Sequence, residues 1–315
     1  MLAAVMLQPR AAARMSDRAP LGEIPFTLTD DGRMYVTAFV NGSDSLRFLV
    51  DTGASSVVLN VNSPRLKSRL LEGLKGYNLG TTGSSQIEYA KGYTLRAGSM
   101  RFERVECAHI PYPPDYWDGV LGLGVLAEFN VEFNYDDLKI YFYPKRKVKA
   151  NPAYAALPFV YRYYVPFVRL PIRLNGKRHR LLLEVDTGAD RVIDLSTPFV
   201  NRNRLLESLT PFAVSYITSS DGGTGQLKNV FFDEVAVGPY ILPRVPGALS
   251  TLTSGMLAKE DIDGMIGNGF LKRFNMLIDF KSNKIYLQPN NLLYTHFYEF
   301  LVRKKSGGTA ENRPL

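Results

Sequence analysis

The stretch RFLVDTGASSVVLN, residues 47–60, places a single carboxylate, Asp51, between two apolar runs. A charge in apolar surroundings is costly unless it is stabilised or gives up its ionisation. One interpretation is a turn between two strands, in which Gly53 supplies a permissive backbone. The other is a functional carboxylate held at the end of a strand. This stretch alone does not separate the two.

The rest of the chain repeats this pattern. The stretch RLLLEVDTGADRVIDLS, residues 180–196, carries Asp-Thr-Gly-Ala again at 186–189, behind another apolar run. An Asn-Gly pair precedes each copy, at 41–42 and at 175–176. Asn-Gly between apolar runs is the strongest short hairpin signal. Both copies therefore predict a hairpin that feeds a strand ending in an aspartate.

A second repeated block follows each motif. DGVLGLGVLAEFNVEFNYDDLKIYF, residues 118–142, aligns without gaps on DGMIGNGFLKRFNMLIDFKSNKIYL, residues 263–287, with identity at ten of the 25 positions. Two motifs in the same order predict a duplicated unit of domain size. Asp118 and Asp263 repeat as well, but no apolar strand leads into them, so we interpret them as turn residues.

Length and repeats together predict the domain organisation. The 315 residues suit about two domains of ordinary size. The predicted parts are an N-terminal arm or truncated signal peptide (1–21), a first lobe (22–142), a basic linker (143–153), a second lobe (154–289) and a C-terminal tail (290–315). The segment LLYTHFYEFL in this tail is expected to dock as a last strand or helix.

Composition limits the partners and the compartment. The net charge is +8, but its excess lies in the arm, the linker and the tail and not in a lobe. A nucleic-acid-binding protein concentrates such charge on a folded face, so we expect no nucleic-acid partner. We also expect no membrane-spanning segment, since no apolar run is long enough. The lone Cys107 excludes an intramolecular disulfide. The apolar start and its Ala-Ala-Ala favour export to the periplasm or cell envelope, and a cytoplasmic location stays open.

The residue pattern predicts an all-β chain with a few short helices. Short aliphatic, β-branched and aromatic runs between turn signals indicate strands. Helices are predicted over residues 63–74, where Ser63 would cap Pro64, and over residues 200–209. Each block that begins at Asp118 or Asp263 predicts a strand, a glycine turn, a short helical piece and a final hairpin.

These motifs resemble those of aspartic proteases, specifically the retropepsin-like lobes of bacterial aspartyl protease family proteins. The resemblance rests on the apolar strand running into Asp-Thr-Gly-Ala and on the later elements Val120-Leu121-Gly122 and Met265-Ile266-Gly267. It covers both copies. It implies two pepsin- or retropepsin-like β-barrel lobes related by pseudo-twofold symmetry.

The resemblance also implies site residues, position by position. Asp51 and Asp186 would be the catalytic pair. Active-site support would come from the residues after each aspartate, which are Thr52, Gly53, Thr187 and Gly188. The two threonines would hold the aspartate loops together. The glycines would leave room for the substrate backbone.

Further residues are implied as substrate contacts, namely Ala54, Ala189, Asp190, Gly83, Gly222 and Trp117. Gly83 and Gly222 would lie at the tips of two flaps, although ordinary exposed hairpins are the alternative. For Asp190 the alternative is a surface ion pair with Arg191 or Arg202. A lone tryptophan such as Trp117 is more often a core residue.

The chemistry of two such carboxyls can be derived without the resemblance. Two carboxyls about 3 Å apart cannot both ionise, so one activates water while the other keeps a proton. That splitting is the known behaviour of the aspartic-protease dyad. We expect a single-chain, monomeric endopeptidase acting on a peptide or protein substrate, with no cofactor and no metal. A non-catalytic peptide-binding protein of the same fold is the alternative.

Overall fold

Strands make up most of the chain, as the sequence predicted. The structure is a computed structural model that describes residues 14–66, 68–149, 151–152 and 154–297. The strands of the first half are β1 (Gly22–Pro25), β2 (Thr27–Leu28), β3 (Met34–Val40), β4 (Leu46–Val50), β5 (Val57–Asn60), β6 (Leu74–Leu79), β7 (Ser84–Ala97), β8 (Met100–Ile110), β9 (Gly119–Leu121), β10 (Asn130–Asn134) and β11 (Lys139–Tyr143). Those of the second half are β12 (Ala155–Arg162), β13 (Val165–Leu174), β14 (Lys177–Asp186), β15 (Ile193–Leu195), β16 (Ala213–Thr218), β17 (Thr224–Val237), β18 (Tyr240–Ser250), β19 (Gly264–Gly267), β20 (Phe274–Asp279) and β21 (Lys284–Pro289).

The helices within the described residues are short. They are α1 (Leu123–Leu126), α2 (Thr197–Arg202), α3 (Leu205–Ser208), α4 (Asn268–Leu271) and one 3-10 turn (Met256–Ala258).

The first half forms a closed barrel, which we call the first barrel. Its strands run in the order β3-β4-β9-β5-β8-β7, and the pairing of β3 with β7 closes the ring. Strand β4 lies parallel to β9, with Val50 opposite Leu121. Phe48 and Val50 are completely buried inside. Full closure leaves no unpaired strand edge in the ring.

The second half repeats this arrangement as the second barrel. Its order is β13-β14-β19-β15-β18-β17, and β13 pairs with β17 to close it. Strand β14 lies parallel to β19, with Asp186 opposite Gly267. The fold is thus all-β, with two barrels in matching strand order.

A shared antiparallel sheet joins the two barrels. Its order is β1-β11-β10-β20-β21-β12, so each half of the chain contributes three consecutive strands. The halves meet where β10 pairs with β20, at Val131 opposite Ile278. This pseudo-twofold sheet fixes how the barrels face each other.

The repeated aspartates of the second block lie just before β9 and β19 and bond to the strands that lead to the aspartate motifs. Asp118 Oδ2 accepts a hydrogen bond of 2.8 Å from the backbone N–H of Arg47. Asp263 Oδ2 accepts the equivalent bond of 2.9 Å from Leu182 N–H. Each carboxylate therefore fastens the strand that leads to Asp51 or Asp186.

The first of the two longer helix predictions is wrong, and the second is confirmed in part. No helix is found within residues 63–66 and 68–74, where Leu66 N–H bonds to Ser63 O, Arg69 N–H bonds to Leu66 O, and β6 begins at Leu74. The second helix starts earlier than predicted, because Ser196 caps it through Phe199 N at 3.4 Å. It is then interrupted between α2 and α3, where Arg204 takes a left-handed φ of 50°.

The two ends of the chain are described only in part. The end of the predicted arm packs against the shared sheet, where Met15 is buried and its N–H donates to Glu132 Oε2 at 3.1 Å. The tail forms turns over 290–297, so the expected last strand or helix is not found there, and residues 298–315 lie outside the described part. Within the described residues, no helix has the length and apolar character needed to cross a membrane.

Candidate active site

The two sequence-predicted aspartates come together between the barrels. Asp51 follows β4, and its N–H donates to Leu121 O on β9 at 3.1 Å. Asp186 is the last residue of β14. The Asp51 carboxyl lies beside Gly188 and the Asp186 carboxyl lies beside Gly53, so the two carboxyls face each other across the two loops. We call these two residues the aspartate pair.

Reciprocal hydrogen bonds between Thr52 and Thr187 hold the pair in place. Thr52 N–H donates to Thr187 Oγ1 at 3.0 Å, and Thr187 N–H donates to Thr52 Oγ1 at 3.1 Å. Each hydroxyl then donates across to the opposite strand, Thr52 to Val185 O at 2.6 Å and Thr187 to Val50 O at 3.1 Å. Both threonines are completely buried. Buried polar groups that are fully satisfied in this way fix one arrangement of the two loops.

Glycine follows each threonine because the opposite carboxylate leaves no room for a side chain. A Cβ atom on Gly53 would lie within 3.0 Å of Asp186 Cγ, and one on Gly188 within 3.0 Å of Asp51 Cγ. The glycine amides also orient the carboxylates. Gly53 N–H donates to Asp51 Oδ1 at 2.7 Å, and Gly188 N–H donates to Asp186 Oδ1 at 2.8 Å.

Burial is the main electrostatic influence on the pair. It raises the pKa of Asp51, and hydrogen bonds that include the Gly53 amide oppose that rise in part. Burial raises the pKa of Asp186 further, because the charges of Asp51 and Glu184 add to it. Two carboxyls this close titrate as a pair, in which one member keeps a proton while the other ionises.

Glu184 is a third carboxyl at this place, and sequence reasoning missed it. A Cβ atom on Gly53 would lie 3.1 Å from Glu184 Oε1 and also 3.1 Å from Asp186 Oδ1. Burial first, and the charge of Asp51 second, raise the pKa of Glu184 to about 8. A signal was available, because the second motif reads LLLEVD where the first reads RFLVD, which puts Glu184 at the position of Leu49.

Asp190 forms an ion pair between the barrels. Its Oδ2 lies 3.1 Å from Nη2 of Arg33, whose Nη1 lies 2.6 Å from Asp31. Arg33 Nε also donates to Gly188 O at 3.3 Å. The alternative surface pairs with Arg191 or Arg202 are wrong. Arg191 pairs with Asp194, and Arg202 with Glu260 and Asp263.

The two glycine-rich hairpins meet tip to tip. Thr82 Oγ1 lies 3.0 Å from both carboxylate oxygens of Asp221, and Thr81 N–H donates to Ser219 Oγ at 2.7 Å. Gly83 lies beside Asp221, whereas Gly222 has a left-handed φ of 83° and open space around it. The β6–β7 and β16–β17 hairpins therefore form one bridge between the barrels.

Aromatic residues of the first barrel extend from the pair towards this bridge. Burial first, and then the carboxylates of Asp51 and Asp186, raise the pKa of the Tyr112 phenol, and the nearby Ser220 side chain opposes that rise. Trp117 packs edge-on against Tyr112, with ring centroids 5.1 Å apart. Tyr112 was missed by sequence reasoning, and no local pattern marks it.

The two alanines after the glycines serve mainly through their backbones. Ala54 O accepts from Leu123 N at 2.8 Å, and Ala189 O accepts from Asn268 N at 2.7 Å. Ala189 N–H donates to Asp186 Oδ1 at 2.9 Å. Each alanine thereby ties its aspartate loop to the short helix that follows the glycine turn.

Among the described residues, no group of three or more His, Cys, Asp or Glu side chains is arranged to hold a metal ion.

Comparison with known proteins agrees with the fold. The aspartyl protease family matches residues 36–125. The crystal structure of the aspartic proteinase from Irpex lacteus superposes with a TM-score of 0.56 at 14% identity, over 87% of this chain and 98% of that one. No curated protein matches the sequence. The segment match and the shared fold bear out the resemblance to aspartic proteases of the pepsin and retropepsin type.

Proposed function

We propose that this chain, an aspartic protease of the pepsin and retropepsin type by its matching segment and its fold, is an endopeptidase whose catalytic dyad is Asp51 and Asp186. The observation that carries the proposal is the aspartate pair, in which each carboxyl lies beside the glycine of the other motif. The buried Thr52–Thr187 bonds at 3.0 and 3.1 Å hold it. A peptide-binding protein would need neither carboxyl so placed.

In the proposed reaction, ionised Asp51 takes a proton from a water molecule while the water oxygen attacks the peptide carbonyl carbon. Protonated Asp186 gives its proton to the carbonyl oxygen, which yields a neutral tetrahedral diol. Asp51 then protonates the amide nitrogen, the C–N bond breaks, and the proton of one diol hydroxyl returns to Asp186. Each carboxyl thus serves as base and as acid once per cycle.

The paired hairpins are proposed as flaps that cover the substrate. Their tips, residues 80–83 and 219–223, connect strands that run back into opposite barrels. Ser254 Oγ also donates to Thr82 O at 2.5 Å, so a loop of the second barrel contacts the first tip. A peptide entering the site has to pass between or beneath these tips. Asp190 and Trp117 remain predicted substrate contacts.

The proposed function is tested by incubating the purified chain with casein and a peptide library at several pH values, with and without pepstatin. Internal cleavage that pepstatin inhibits is the expected result. Peptide binding without cleavage at any pH would instead favour the non-catalytic alternative.

We expect kcat/KM to have a bell-shaped pH dependence with an optimum on the acidic side of neutral. Below the pKa of Asp51 both carboxyls are protonated and no base remains; above the pKa of Asp186 the shared proton is lost. Burial raises the pKa of both carboxyls, and this shifts both sides of the bell-shaped curve to higher pH. A rate still rising at about pH 9 would contradict the dyad.

Breaking the contact between the tips should loosen both hairpins. In Asp221→Ala the two bonds from Thr82 at 3.0 Å are lost. Amide exchange over residues 80–86 and 219–226 should therefore become faster in the free protein, and pepstatin should slow it again. Asp233→Ala is the matched control, because Asp233 lies on the same hairpin and accepts from Gly176 N at 2.8 Å, away from the tip. Equal exchange at the tips in Asp221→Ala and the control would count against a bridge.

A further inference from the structure

Glu184 lies on the side of β14 that carries Asp186. The two residues are separated by one position, and alternate residues of a strand point to the same face. Glu184 Oε1 and Asp186 Oδ1 are both 3.1 Å from the same point above Gly53. A substrate group that reaches Asp186 from this side therefore also reaches Glu184.

Only 5% of Glu184 is exposed, and burial and the charge of Asp51, not a hydrogen bond or a counter-charge, are what act on its carboxyl among the described residues. Its strand neighbours across β13 and β19 are Phe167 and Met265, which carry no charge. The titratable groups that face it are the carboxyls of Asp51 and Asp186. A buried carboxyl without a donor or a counter-charge is unfavourable, and a bound cation would remove that cost.

The equivalent position in the first barrel is apolar. Leu49 packs there in a cluster that includes Val58 and Val120. The barrels are related by pseudo-twofold symmetry, so Leu49 and Glu184 flank the aspartate pair from opposite sides. The site is therefore apolar on one side of the bond to be cut and acidic on the other.

We propose that Glu184 is a specificity-determining residue that selects substrates with a lysine or arginine side chain next to the scissile bond. Binding of the ammonium or guanidinium group releases the proton of Glu184, and the cation donates hydrogen bonds to the resulting carboxylate. An apolar side chain packs on the Leu49 side. A substrate with a neutral side chain at the acidic side leaves Glu184 unpaired, and a site of this kind rejects such a substrate strongly. The preference in cleavage rests on the proposed function, because the chain must cut the bond. The preference in binding does not.

The test measures the cleavage of matched peptides at pH 6. One position beside the scissile bond is lysine or its neutral analogue norleucine, and all other residues are apolar. Both positions beside the bond are substituted in turn, and arginine is compared with citrulline. At one of the two positions, we expect kcat/KM to be about 10-fold to 100-fold higher for the cationic peptide. Hydrogen bonds to a buried charged group contribute a free energy that corresponds to such a ratio.

Two variants test the residue itself. Glu184→Gln keeps the shape and removes the charge, and Glu184→Leu copies the residue of the first barrel. Both should reduce the lysine-to-norleucine ratio to about one or below, while the norleucine peptide is still cleaved. Glu132→Gln is the matched control, since Glu132 is also a buried carboxyl but is bonded to Tyr143 at 2.8 Å in the shared sheet. Its ratio should equal that of the unaltered protein.

A binding measurement separates this inference from the proposed function. Statine-containing peptides with lysine or norleucine at the selected position are titrated by calorimetry in two buffers of different ionisation enthalpy. The lysine form should bind more tightly and release a proton in the unaltered protein, but not in Glu184→Gln, because its ammonium ionises Glu184. A binding preference without any cleavage would refute the peptidase and support the inference. Equal binding and equal cleavage of the two forms, or a preference that survives in both Glu184 variants, would overturn it.

Discussion

Replacing Asp51 or Asp186 by asparagine is expected to lower kcat/KM by about 10²-fold to 10⁴-fold, which is the rate enhancement that one general acid or base supplies. Asparagine has nearly the same shape but neither accepts the proton of a water molecule nor shares one with its partner. The fold should persist. Burial raises the pKa of Asp186 in the folded protein. At neutral pH the unfolded chain therefore ionises this residue more readily than the folded protein does, and this difference lowers the free energy of unfolding. Replacing Asp186 by a neutral residue removes that cost, so the variant should not be less stable at neutral pH. Thermal unfolding of each variant checks this point.

The same two variants test whether the site is made within one chain. The Thr52–Thr187 bonds at 3.0 and 3.1 Å join the two halves of a single chain. A covalent connection holds such halves at high effective concentration, so pairing within the chain should outcompete dimerisation. Specific activity should not change on dilution. Mixing Asp51→Asn with Asp186→Asn should leave the solution inactive, and restored activity would mean that two chains combine their halves.

Thr52→Val should destabilise the protein by about 2–6 kcal/mol, because two buried groups lose their partners at about 1–3 kcal/mol each. The groups are the N–H of Thr187, bonded at 3.1 Å, and the carbonyl of Val185, bonded at 2.6 Å. Valine nearly conserves the volume, so the loss comes from hydrogen bonding and not from a cavity. Urea unfolding should show a lower midpoint with an unchanged slope.

Two comparisons make the threonine result specific. Thr52→Ser keeps the hydroxyl and should recover most of the stability. Thr94→Val removes a hydroxyl that bonds Glu103 at 2.7 Å in an exposed place, and should change stability by less than about 0.5 kcal/mol. The double variant Thr52→Val, Thr187→Val should cost less than the sum of the single changes, since the two side chains share bonds. A Thr52→Val effect as small as that of Thr94→Val would contradict the role of these bonds.

Local patterns predicted the all-β class and the repeated strand that ends in Asp51 and in Asp186. Hydrophobic alternation and turn residues depend only on residues close together in the sequence, so they can be read from the chain directly. Because the pattern occurs twice, the strand prediction in each half supported the prediction in the other. The short helical pieces after the glycine turns, α1 and α4, were predicted in the same way.

The helix predicted at residues 63–74 failed because distant contacts override a weak helical preference. Leu66 is completely buried, and the N–H of Leu71 donates to the hydroxyl of Tyr93 at 2.7 Å instead of to a helical carbonyl. A capping serine and a proline start a turn equally well when the following residues find partners elsewhere.

Which strands end in an aspartate, and which residues follow it, are local properties of the chain, so the amino-acid pattern was enough to predict them. What lies beside the pair depends on contacts between distant parts of the chain. Glu184 faces Asp51 from the other barrel, Arg33 reaches Asp190, and Asp221 reaches Thr82, 139 positions away. Such contacts depend on how the shared sheet sets the two barrels against each other, and no periodicity of neighbouring residues encodes that geometry.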